Sequence, residues 1–215
     1  MKHIHKILFV ALAAALCSCR PDDANKDYGF AKVYIPQATV TGLDNSYPIP
    51  LGPFYQNSVY TCVYDPATGK LKIALGVIRS AYLSQQEAFR VNLDVCQEQT
   101  LRKLAEYEGK GIAAQALSSE ICSIPSTIEV EAGTNGGTCY VEVDMKALAL
   151  QRESLLTADG YKLLVLGLEI SHPTSYELAD NYTSVVIVLD LGSEHWDKVS
   201  SDKPESEIRN LFPTI

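Results

Sequence analysis

Apolar and polar residues alternate one for one along most of this chain, and a period of two is the pattern of β-structure rather than of helices. In Thr127-Ile128-Glu129-Val130-Glu131 and in Tyr140-Val141-Glu142-Val143-Asp144, acids alternate with isoleucine or valine, the signature of strands with one wet face and one dry. Strands are expected at Ala31 to Ile35, Asn57 to Tyr64, Leu71 to Ile78, Ala88 to Val95, Thr127 to Glu131, Cys139 to Asp144, Lys162 to Ile170 and Ser184 to Leu191. Turn chemistry agrees. Asp65-Pro66-Ala67-Thr68-Gly69 supplies a proline for fixed φ and a glycine for positive φ, and so predicts a hairpin. Ala132-Gly133-Thr134-Asn135-Gly136-Gly137 is expected to do the same between the next two strands. Neither is a phosphate loop: Tyr64 stands where the first glycine before Gly69-Lys70 is required, and the second segment has no lysine.

Two stretches break the alternation. Gln97 to Glu108 reads as a helix with Leu101, Leu104 and Ala105 on one face, expected to lie across the end or side of the sheets. A weaker helix runs from Met145 to Leu156, ending before the Asp159-Gly160 turn. Eight strands at this spacing, with one or two short helices in crossovers, predict an all-β, two-sheet β-sandwich. One domain accounts for residues 28–192.

The N-terminus obeys different rules. Lys2, His3, His5 and Lys6 precede the apolar run Ile7 to Leu16, which rises only about 15 Å as a helix, half of a ~30 Å hydrocarbon core. Residues 1–18 therefore read as a signal peptide. Leu16-Cys17-Ser18-Cys19 resembles the lipobox of bacterial lipoproteins, with an aliphatic residue three before the cysteine and a small one immediately before it. The resemblance implies cleavage after Ser18 and acylation of Cys19. Two or three acyl chains, at about 0.8 kcal/mol per buried CH₂, hold a protein to a membrane without a transmembrane helix. Asp22-Asp23, just beyond the cysteine, resembles the export signal that carries many Bacteroidetes lipoproteins to the outer face of the outer membrane. Residues 19–27 are expected as a polar tether, and residues 193–215 as a polar C-terminal tail.

Charge narrows the partners. The full chain carries a net charge of −8; losing residues 1–18 removes Lys2 and Lys6 and no acid, leaving 16 basic against 26 acidic residues and a net charge of −10. Such a surface repels phosphates, so no nucleic-acid partner is expected.

Catalytic chemistry is poorly supplied. After cleavage only His172 and His195 remain, and no Gly-x-Ser-x-Gly elbow occurs. No enzyme activity, cofactor or metal is expected. Besides Cys19, the mature chain keeps Cys62, Cys96, Cys122 and Cys139, with no Cys-x-x-Cys pair. They either form disulfides, in one of three connectivities, or serve as small buried apolar residues. Cys139 suits the second role, sharing a strand face with Val141 and Val143. A Cys96–Cys122 bond would close off the helical excursion between them.

Several stretches in order resemble a Bacteroidetes lipoprotein family, the domain of unknown function 1735: Val33-Tyr34-Ile35-Pro36-Gln37-Ala38, Val91-Asn92-Leu93-Asp94-Val95, Ile128-Glu129-Val130-Glu131-Ala132-Gly133, Val141-Glu142-Val143-Asp144, Tyr161-Lys162-Leu163-Leu164-Val165-Leu166 and Ser184-Val185-Val186-Ile187-Val188-Leu189. The resemblance spans roughly residues 28–192 and implies an immunoglobulin-like fold, an outer-membrane location facing the cell surface, and company with glycan-uptake systems. A non-enzymatic glycan-binding or accessory protein is then the expectation. The alternative is a structural subunit that joins other surface lipoproteins through edge strands or through its hydrophobic end, Leu211 to Ile215. Sugar recognition sets aromatic faces beside carboxylates and amides. Among twelve tyrosines and a single tryptophan, the candidate sugar contacts are Trp196, Tyr176, Tyr182 and Tyr55.

Overall fold

The computed structural model describes residues 31–42, 44–51, 62–81, 86–193, 195–196, 208 and 211–212. Its strands, in chain order, are β1 (Lys32–Tyr34), β2 (Ser46–Ile49), β3 (Cys62–Asp65), β4 (Lys70–Arg79), β5 (Phe89–Val95), β6 (Ala114–Ala116), β7 (Cys122–Ser123), β8 (Thr127–Val130), β9 (Gly136–Asp144), β10 (Leu156–Thr157), β11 (Gly160–Tyr161), β12 (Leu163–Ser171), β13 (Glu177–Leu178) and β14 (Ser184–Leu189). Helix α1 (Gln97–Gly109) joins β5 to β6, and the short α2 (Met145–Leu150) and α3 (Arg152–Leu155) follow β9. One sheet runs β13-β1-β4-β9-β7 with β3 also on β4; the other runs β2-β14-β12-β5-β8 with β6 also on β12. The expected all-β, immunoglobulin-like two-sheet sandwich is the architecture, with its helices in crossovers.

The inner faces supply the core. Leu71, Ile73, Leu75 and Val77 of β4 are buried, as are Leu164, Leu166 and Leu168 of β12 and Val185, Ile187 and Leu189 of β14. The predicted Asp65 turn forms the β3–β4 hairpin: the Asp65 carboxylate accepts from the amides of Ala67 and Thr68 at 3.0 and 3.4 Å, and Gly69 has φ +74°. Asp144 caps α2 in the same manner, accepting from Ala147 N at 2.9 Å.

The second predicted hairpin is not one. β8 pairs with β5 in one sheet and β9 with β4 in the other, so residues 132–135 carry the chain across the sandwich. Both strands alternate identically, and alternation does not reveal to which sheet a strand belongs. Glycine makes the crossing possible, since a Cβ on Gly137 would collide with the carbonyl of Glu129 on β8.

Helix α1 also departs from expectation. Leu101 is 65% exposed and Ala105 is exposed, whereas Thr100 and Lys103 are buried and Leu104 and Tyr107 half-buried. The helix lies on the outer face of the β12–β14 sheet, where Leu104 and Tyr107 cover Val165, Val186 and Val188. That explains why β12 and β14 read as unbroken apolar runs: both faces are covered. Burying one such valine contributes roughly 1.5–3 kcal/mol as an upper figure.

Each central strand has one edge shared by two short strands. β4 is paired by β3 at Lys70–Ile73 and by β1 at Ile78–Arg79. In the gap, Gly76 N donates to the side-chain oxygen of the fully buried Gln37 at 3.2 Å. β12 is paired by β6 at Leu163–Val165 and by β5 at Leu168–Ser171. There Gly167 N donates to Thr100 Oγ1 at 2.8 Å, and Gly167 O accepts from Cys96 N at 2.9 Å. A buried amide left without an acceptor costs about 1–3 kcal/mol, so these side chains complete the sheets.

Candidate functional site

Among the described residues, those singled out by sequence do not converge on one surface. Cys19 and Tyr55 lie outside the described residues. Trp196 is 1% exposed, its indole Nε1 donating to Asp190 O at 3.0 Å, so it is a core residue and offers no ring face to a ligand. Tyr176 and Tyr182 stand at the opposite end of the sandwich, on the connection from β12 to β14, both with left-handed backbones at φ +70° and +64°. Tyr176 is also occupied. Its hydroxyl accepts from Arg79 Nη1 at 2.8 Å and from Glu87 N at 3.0 Å, the Arg79 guanidinium lies 5.0 Å from its ring centroid, and Phe89 packs edge-on at 5.4 Å. Tyr182 packs half-buried against the core, and its carbonyl accepts from Ile35 N at 2.8 Å.

Cys96 and Cys122 are not bonded to each other; Cys62, Cys96, Cys122 and Cys139 are all free thiols. Cys96 caps the start of α1 beside one sheet, while Cys122 pairs with Val143 in the other. Burial pushes the Cys62 thiol up to about 12 and those of Cys122 and Cys139 to about 11, which fits the role of small apolar residues.

Within residues 193–215, expected as a polar tail, the described residues Trp196, Ile208 and Phe212 are buried. Ile208 and Phe212 are 1% and 2% exposed, in the same core as the sheets, and Phe212 meets Tyr161 edge-on at 5.6 Å.

A cavity of about 730 Å³ opens at the end of the sandwich away from Tyr176. The edge strand β2 brings Pro48 and Ile49 to it, β14 brings Val188, and β12 begins there at Leu163. Proline is tolerated in β2 because it is an edge strand. Tyr107 contributes from the last turns of α1, Thr41 from the loop before β2, and Asp190, Ser193 and His195 from the segment after β14. An apolar floor thus meets a ring, a carboxylate, an imidazole and hydroxyls, a mixture suited to a polyhydroxylated ligand.

The wall is fixed by an ion-pair cluster. Lys103 Nζ donates to Asp44 Oδ2 and to Glu106 Oε2, each at 3.0 Å, and lies 5.2 Å from the Tyr107 ring centroid. Its side chain is only 5% exposed, so the cluster joins α1 to the loop that carries Thr41. Burial opposes ionisation of Asp44, but hydrogen bonds from Thr41, the Ser46 amide, Lys103 and the Ser46 hydroxyl outweigh it and hold the carboxyl far below the ordinary range. Burial opposes the charge on Lys103 too, and is outweighed by Glu106 and Asp44, so its pKa rises. A carboxyl whose folded pKa lies below its unfolded value of about 3.9 stabilises the fold above that value, and the contribution drains away as pH falls below it. Asp44→Asn is therefore expected to flatten the acid limb of the stability profile: urea unfolding midpoints at pH 3 and pH 7 should lie closer together than in the parent, and an unchanged gap would refute this account.

A smaller groove of about 230 Å³, bordered by Val95, Leu101 and Leu117, lies where β5 gives way to β6. No group of three His, Cys, Asp or Glu side chains placed to hold a metal occurs among the described residues. No helix among them is long and apolar enough to cross a membrane.

Sequence reasoning missed the cavity residues Tyr107, Thr41, Asp190 and Ser193. One signal was present: Lys103 and Tyr107 stand four apart in a helix, hence on one face, and a lysine on a buried face needs partners.

No family model and no curated protein matches the chain. Among solved structures, a Bacteroides ovatus protein of unknown function is similar at 15% identity over 74% of this chain and 46% of that one, with a TM-score of 0.52. A multidomain Bacteroides ovatus protein including DUF1735 is similar at 14% identity over 74% and 43%, TM-score 0.42. An auxiliary nutrient binding protein of Bacteroides thetaiotaomicron is similar at 15% identity over 69% and 45%, TM-score 0.42. The chain spans less than half the length of each of these three. At these identities the likeness is one of fold.

Proposed function

We propose that this chain is a non-enzymatic, lipid-anchored protein of the bacterial outer membrane, facing the cell surface and distantly related to the domain of unknown function 1735, that captures carbohydrate in the cavity beside Tyr107. The observation that carries the capture reading is the cavity wall, in which Tyr107, Thr41, Asp190, Ser193 and His195 surround an apolar floor. The lipobox at Cys19 and the acidic pair Asp22-Asp23 support the location. Nutrient binding, the role named for one protein of similar fold, is of the same broad class. Burial of Ile208 and Phe212 in the chain's own core weighs against the alternative in which the hydrophobic end docks onto a neighbour.

A glycan array probed with the full chain in detergent tests this reading. Tyr107→Ala and His195→Ala should weaken binding at least about tenfold, the loss of one well-placed contact of about 1.4 kcal/mol. Tyr140→Ala, 47% exposed on the outer face of the other sheet, should leave it unchanged. Silence across host, plant and microbial glycans would sink the reading.

A further inference from the structure

Resting on that capture reading, we infer that the cavity selects uncharged sugars and rejects acidic ones, so that its ligands are neutral oligosaccharides rather than uronate or sulfated chains. Among the described lining residues there is one formal charge, the carboxylate of Asp190, and no lysine or arginine. Lys103, which packs beside the wall residue Tyr107, cannot serve as a counter-ion. It is 5% exposed, and its Nζ is already held between Asp44 and Glu106 at 3.0 Å each. Two acids against one lysine leave that cluster itself negative, and the Glu106–Lys110 pair at 2.6 Å does no more than balance it.

Hydrogen-bonding capacity points the same way. An ionised carboxylate only accepts, so Asp190 requires ligand groups that donate. Its Oδ1 already accepts from Gly192 N at 2.9 Å, which orients the group. Sugar hydroxyls donate, whereas uronate carboxylates and sulfate esters only accept. An acidic sugar would therefore shed its hydration, find no lysine or arginine among the described lining residues, and face a like charge. With the two charges about 6 Å apart at an effective dielectric of about 20 to 40, that repulsion is worth roughly tenfold to hundredfold in affinity. The net charge of −8 on the whole chain adds a weaker, salt-screened repulsion.

The experiment is calorimetric titration of the full chain in detergent at pH 8 with matched trisaccharides, each neutral sugar beside its uronate or sulfated counterpart. The expected result is binding of at least one neutral member, lost in Tyr107→Ala, with its acidic counterpart roughly tenfold to hundredfold weaker at 20 mM salt. Asp190→Asn keeps the acceptor for Gly192 N and removes the charge, so it should narrow the gap about tenfold. Acidic sugars binding as tightly as neutral ones, in a manner abolished by Tyr107→Ala, would overturn the charge inference and leave capture standing. Binding indifferent to both substitutions would overturn the inference by moving the site elsewhere. Absence of binding by every pair would remove the capture reading and this inference together.

Discussion

Replacing Trp196 with alanine is expected to cost about 3–5 kcal/mol of stability, the usual penalty for emptying a large buried aromatic site. The indole is 1% exposed and tied through Nε1 to Asp190 O, so truncation opens a cavity and leaves that carbonyl with only the longer bond from Ser193 N at 3.4 Å. For a chain of this size, about 2–4 °C of melting temperature accompanies each kcal/mol, which puts the expected drop on the order of 10 °C. Circular-dichroism melts measure it. Trp196→Phe, which retains most of the bulk but not the N–H, should cost only about 1–3 kcal/mol. A loss below about 1 kcal/mol in the alanine variant would contradict the buried placement. Lost sugar binding in Trp196→Ala would report unfolding beside the cavity, not the removal of a sugar contact.

The second large effect is expected at Gly167. A Cβ there would lie 2.5 Å from Cys96 O and 2.9 Å from both Gln99 Cβ and Thr100 N, all at the start of α1. These atoms belong to backbone or to the stem of a side chain and cannot rotate away. Gly167→Val must push α1 off β12, combining an overpacking penalty of about 1–3 kcal/mol with a comparable cost for the amide that loses Thr100 Oγ1. A total of about 3–5 kcal/mol is expected from urea unfolding. Hydrogen exchange should show the amides of α1 losing protection before those of β4. Parent-like stability, or protection lost evenly across the chain, would refute the close contact.

Much of this architecture was legible in the residues. The strands at Leu71 to Ile78 and Ala88 to Val95, the helix from Gln97, and the Asp65 turn all lie where alternation, periodicity and turn chemistry place them. Three things were not legible, each for a physical reason. Strands of two to four residues, such as β2, β6 and β7, are too short to establish a period. The sheet to which β8 and β9 each belong depends on which partners they meet, and an arch with glycines reads like a turn. Helix α1 buries Lys103 instead of Leu101 because Asp44, almost sixty residues earlier, supplies a counter-charge that no local pattern reveals. The candidate site suffered for the same cause. Exposure of an aromatic ring is decided by tertiary packing, so Trp196 and Tyr176 were conspicuous in sequence and yet are engaged in the fold, while Tyr107 was read only as part of a helix.

The two divided edges carry an implication for how such a fold can diversify. Along β12, β5 and β6 act as two halves of one virtual strand, cut at Gly167 and spliced by Thr100, with all of α1 inserted at the cut. Along β4, β3 and β1 are likewise two halves meeting at the Gln37 amide. An insertion at a splice of this kind need not disturb the register on either side, because each half keeps its own ladder and one side chain seals the joint. The cuts are thus permissive points at which a chain can acquire new surface, and Tyr107, on the wall of the end cavity, is part of what was inserted at one of them.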